Sequence, residues 1–191
     1  MKKTGTTMSK KLTVAQLKKQ LKEFSQDELI YLVCHLYKSS SEAADYINAE
    51  MGDQEYVAQL LEEAKKKVRK EFFPSRGYGR LSLATAKQAI SSFKKVCQDP
   101  NMIIDLQLYY VECGVEFTNT YGDINESFYS SMESMYWTVI EAINKSDDRK
   151  LYEAFADRLK AVIEETEDIG WGFYDGLDWP FRPQTRMKAM N

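Results

Sequence analysis

The chain has 191 residues, 43% hydrophobic and 29% charged, with a formal net charge of -3. That is length and apolar content for one domain, or two small ones, with a real core. Nine Gly and four Pro exclude a collagenous or low-complexity chain, and no apolar run approaches the ~20 residues of a membrane helix.

In chain order the pattern is helical almost throughout. Leu12, Leu17, Leu21 and Phe24 begin an amphipathic stretch. Ser25 with Glu28 forms a capping box, so a second helix starts there and carries Leu29, Ile30, Leu32, Val33, Leu36 and Tyr37. A short helix near 42–51 ends at Gly52. Asp53 caps the next, which runs through Leu61, Ala64, Val68 and Phe72 until Pro74 stops it. Ser82 caps a helix bearing Leu83, Ala86, Ile90, Phe93 and Val96. Asp99-Pro100 then opens a strongly apolar helix over about 100–121. Gly122-Asp123 breaks it, another covers about 125–145, and Asp147 or Asp148 opens a last one to about Asp168. No segment alternates with period two, so no sheet is predicted. The expected fold class is all-α, about eight helices in antiparallel hairpins, as a compact bundle or a short helical-repeat-like stack. The expected domain is 12–181, with disordered tails at 1–11 and 182–191.

Met1 to Lys11 is polar and basic, without the apolar core of a secretory signal, so the cytoplasm is the expected location. Cys34, Cys97 and Cys113 are odd in number and widely spaced, which reads as buried thiols rather than disulfides. His35 is the single histidine. It sits mid-helix, a core or edge residue, and one imidazole does not supply an ordinary zinc site or a nucleophile pair. No cofactor and no metal are expected, and catalysis is not favoured.

Three segments carry a resemblance. They are Glu71 to Arg80, reading EFFPSRGYGR; Tyr109 to Asp123, reading YYVECGVEFTNTYGD, with Phe128 to Ser134; and Asp168 to Phe173, reading DIGWGF. With Leu17 to Leu21 and Glu28 to Leu32, the chain resembles a family of uncharacterised bacterial proteins, domain-of-unknown-function family 6155, over about 12–175. The resemblance implies a single helical domain. It implies no activity and no catalytic residues.

Charge is sorted into blocks. Lys65 to Lys95 holds ten basic residues and one acid, Glu71, while Val96 to Asn144 holds eight acids and no Lys or Arg. Such blocks either neutralise each other in the fold or face outward and select a partner. An anion-binding candidate comprises Arg76, Gly77, Gly79, Arg80 and Lys87, where a Gly-containing loop feeds the helix start at Ser82. The alternative is a plain turn whose arginines pair with the chain's own acids. At ~100° per residue, Asp105, Glu112, Glu116 and Asn119 fall in one narrow arc of an otherwise apolar helix. A buried, unpaired charge line costs stability, so these carboxylates are paired, solvated or bound to a hard cation. Glu126 and Glu133 form a second line on the following helix. Trp137, Trp171, Phe173 and Trp179 are an aromatic-patch candidate, read otherwise as a C-terminal plug over the core.

Three functions remain. The leading one is a non-catalytic module that binds a protein or peptide. The alternative is phosphate or nucleic-acid binding through the basic 65–95 segment. The remote one is a carboxylate-metal hydrolase on Asp105, Glu112, Glu116, Glu126 and Glu133. No membrane partner is expected.

Overall fold

The computed structural model describes residues 11–52, 54–75, 81–146 and 148–167, with Ile169 and Leu177. Eight helices form among these residues, and no strand. They are α1 (Val14–Leu21), α2 (Gln26–Ser39), α3 (Ser41–Met51), α4 (Gln54–Phe72), α5 (Leu83–Val96), α6 (Pro100–Tyr121), α7 (Glu126–Ser146) and α8 (Arg149–Glu164). The fold is all-α. Local chemistry fixes most helix starts. Ser25 Oγ accepts from the Glu28 N–H at 3.3 Å, and Glu28 Oε2 accepts from the Ser25 N–H at 2.7 Å. Thr13 and Gln16 repeat that reciprocal cap at α1. Ser82, Asp99 and Asp148 cap α5, α6 and α8 through their side-chain oxygens. The last helix ends at Glu164, short of the expected Asp168. Its final turn closes where the Thr166 hydroxyl donates to the Ile163 carbonyl at 2.7 Å.

The chain divides into two compact units, the boundary falling inside α3 between Ile47 and Asn48. In the second unit α6 is the central helix and touches α4, α5, α7 and α8. Ile104, Leu106, Leu108, Tyr110, Val111, Cys113 and Val115 of α6 are all buried. Each such side chain removed from water stabilises by about 1.5–3 kcal/mol, which makes α6 the anchor of this bundle. Phe72 of α4 meets Tyr110 and Phe117 of α6 and Phe128 of α7 edge-on, with ring centroids 5.5, 6.2 and 6.5 Å away. The Tyr110 hydroxyl lies 2.8 Å from Ser131 Oγ, and burial pushes its pKa up to about 12. Ile169 and Leu177 are buried with this core.

The first unit differs in kind. Helices α1 and α2 bury no side chain, nor does α3, which runs on from them. Their amphipathic pattern is regular, yet Leu17, Val33, Leu36 and Tyr37 are exposed. Two sequence expectations are corrected here. Cys34 is exposed rather than buried, while Cys97 and Cys113 are interior. His35 is exposed too, stacked on Tyr31 at 6.3 Å between ring centroids.

Candidate functional site

The acidic arc of α6 lies between α4 and α8, and both helices supply cations to it. Arg158 of α8 donates from Nε and Nη2 to the two oxygens of Glu112, at 2.7 and 2.9 Å, and from Nη1 to Asp105 Oδ1 at 2.6 Å. Lys65 Nζ of α4 reaches the other Asp105 oxygen at 2.7 Å. One turn along, Arg69 holds Glu116 in a two-pronged pair at 2.7 and 2.8 Å. Asn119 continues the arc by donating to the Glu165 carbonyl at 3.0 Å. Stacking supports the cations: the Arg69 guanidinium lies 4.7 Å from the centre of the Phe73 ring, and Arg158 lies 5.7 Å from that of Phe155.

Three carboxylates thus meet three cations in a ladder tying α6 to α4 and α8. Burial alone would push the Asp105 carboxyl up, but hydrogen bonds from Lys65 and Arg158 outweigh it and hold the group below its ordinary value of 3.8. The hydrogen bond from Arg69 likewise holds Glu116 below its ordinary 4.5. Oxygens engaged this way face ammonium and guanidinium groups rather than one another. Among the described residues no group of three or more His, Cys, Asp or Glu is arranged to hold a metal ion. Glu126 is exposed and Glu133 half-buried, and neither forms an ion pair with a described residue.

Arg76, Gly77, Gly79 and Arg80 lie outside the described residues, as do Trp171, Phe173 and Trp179. The flanks of the Arg76–Arg80 segment are tied, since the Leu81 N–H donates to the Glu71 carbonyl at 3.2 Å. Lys87 and Trp137 are half-buried. Sequence reasoning expected the acidic arc to pair with Arg76, Arg80 and the basic 65–70 run; among the described residues Lys65 and Arg69 of that run hold Asp105 and Glu116, while Glu112 is held by Arg158. Arg158 was missed, although its place carries a signal. It follows Leu151 by seven residues and precedes Val162 by four, which sets a cation on the edge of the apolar stripe of α8.

The basic block is itself divided by direction. Lys65 and Arg69 turn inward to α6, whereas Lys66, Lys67, Lys70, Lys94 and Lys95 are exposed on α4 and α5. A family of unknown function, DUF6155, matches residues 8–177. The chain belongs to DUF6155. No curated protein and no solved structure matches this DUF6155 chain. No helix among its described residues is long and apolar enough to cross a membrane.

Proposed function

We propose that this chain is a non-catalytic interaction protein whose first two helices hold an amphipathic helix of a partner protein. One observation carries the reading. Among the described residues, eleven of the twelve exposed large hydrophobic side chains lie between Leu12 and Met51, and only Tyr121 lies beyond α3. On α2 the row Leu29, Val33 and Leu36 follows the i, i+4, i+7 spacing of a helix seam, and on α1 Val14, Leu17 and Leu21 follow the related i, i+3, i+7 spacing. A row at that spacing can accept another helix, ridges into grooves, as in helix-in-groove peptide recognition. The energetics agree. Ordering each residue costs about 1–2 kcal/mol of backbone entropy, and helices that bury none of their own side chains lack the usual offset. A bound apolar helix supplies it.

Two measurements test this. Panning a library of displayed helical peptides against the wild-type protein and against Leu36→Glu should enrich sequences with i, i+4 apolar pairs on the wild type alone. Leu36→Glu should also leave the thermal melt of the free protein within about 2 °C, because an exposed substitution usually shifts stability by no more than about 0.5 kcal/mol. A melt lowered by many degrees would mean that the chain itself covers the row, and the reading fails. So would peptide enrichment indifferent to the substitution.

A further inference from the structure

We propose that the outer face of α4 and α5 is a docking surface for the phosphate backbone of double-stranded nucleic acid, engaged without regard to base sequence. Lys66, Lys67 and Lys70 of α4 and Lys94 and Lys95 of α5 are exposed, Lys87 is half-buried, and none of the six forms an ion pair with a described residue. The two helices pack on each other, which places the two sets of lysines on neighbouring helices. The cations of the same run that face inward, Lys65 and Arg69, are the ones engaged by α6. No acid occurs between Leu83 and Val96. On α4, Glu62 is held by Lys65 at 3.4 Å, Glu55 lies in the first turn away from the lysines, and Glu63 and Glu71 are the remaining acids.

Partner chemistry follows from what this surface lacks. None of the exposed large hydrophobic side chains lies on α4 or α5. Protein interfaces are held mainly by a few aromatic, apolar or arginine anchors in desolvated pockets, and this face offers none. Phosphate contacts need no such anchor, since counterion release from the backbone supplies non-specific nucleic-acid affinity by itself. Lysine ammonium groups on flexible stems suit a regular row of point charges. Single-strand binders add aromatic platforms on which bases stack, and the described residues of these two helices expose none. The expected ligand is therefore a duplex, bound weakly, with strong salt dependence and no sequence preference. This inference rests on a different surface from the peptide-binding proposal, and each stands or falls without the other.

Fluorescence polarisation with the full chain and two labelled duplexes of unrelated sequence tests it, at about 50 mM and about 200 mM salt. The wild type should bind both duplexes equally and lose most of its affinity at the higher salt. Each lysine that neutralises a phosphate contributes about -0.9 to the slope of log affinity against log salt. K66E/K70E/K94E should therefore lower the magnitude of that slope by about 2 to 3 and abolish binding at the higher salt. K18E/K19E/K22E, on α1 and its C-cap, changes the net charge equally and should bind within about twofold of the wild type. Circular dichroism and thermal melts show that both triple variants fold. Four results would each overturn the proposal: no binding at the lower salt, equal loss in the two variants, equal affinity for a labelled polyglutamate, or a preference for single strands. The polyglutamate result would reassign the face to an acidic protein.

Discussion

At the scale of single residues, Arg158 decides most. It makes three charge-assisted hydrogen bonds to two carboxylates, and its side chain is only 34% exposed. An exposed ion pair contributes about 0–1 kcal/mol. Removing one partner of a largely desolvated pair costs more, because the other charge is left without its hydrogen bonds. Arg158→Ala should therefore destabilise folding by about 2–3 kcal/mol near pH 7. The effect should depend on pH. Asp105 titrates below its ordinary 3.8 in the folded chain, so its contribution is complete above the unfolded value and fades as pH falls through the folded one. Urea melts at about pH 7 and at about pH 3 should show wild type and Arg158→Ala converging in acid. A gap of the same size at both pH values would show that Arg158 acts by packing alone.

At the scale of elements, α6 and α7 approach closely at Gly114. A Cβ placed there would collide with the Met132 Sδ and lie 2.9 Å from its Cγ, and Met132 is fully buried. Alanine gains about 1 kcal/mol over glycine in helix propensity, but overpacking a filled core costs about 1–3 kcal/mol. Gly114→Ala should therefore lose stability, and Met132→Ala should recover part of the loss in the double variant. Strictly additive costs in denaturation melts would rule out the close approach. Much of this level was legible in the sequence. Ser25 with Glu28, Ser82, Asp99-Pro100 and Asp148 announce helix starts because a cap is a local hydrogen bond. The arc of Asp105, Glu112, Glu116 and Asn119 was legible because it needs only the period of one helix. Lys65 and Arg69 belong to the basic run expected to pair with it, but its partner on α8 was not legible. Arg158 lies 46 residues from Glu112 in sequence, and only packing of α8 on α6 brings them together. Likewise, periodicity gave α2 an apolar face but could not say what covers it, and Cys34 and His35 were placed too deep for that reason.

At the scale of the molecule, the chemistry is unevenly distributed. The second unit holds the core and the ion-pair ladder, while α1 and α2 are held by caps and backbone hydrogen bonds. Amide hydrogen exchange should report this directly. Amides of α1 and α2 should exchange orders of magnitude faster than those of α6, since local opening there exposes little new apolar surface. Comparable protection in both would show the first helices to be packed. The thiols are divided in the same way. Burial pushes the Cys113 thiol up to about 11 and raises Cys97 as well, and thiolate is the form that alkylates. Cys34 stands exposed on α2. The native chain therefore offers one position for a maleimide dye at neutral pH, beside Val33 and on the helix proposed to receive a partner. A fluorophore attached there would report occupancy of that helix without a single engineered residue.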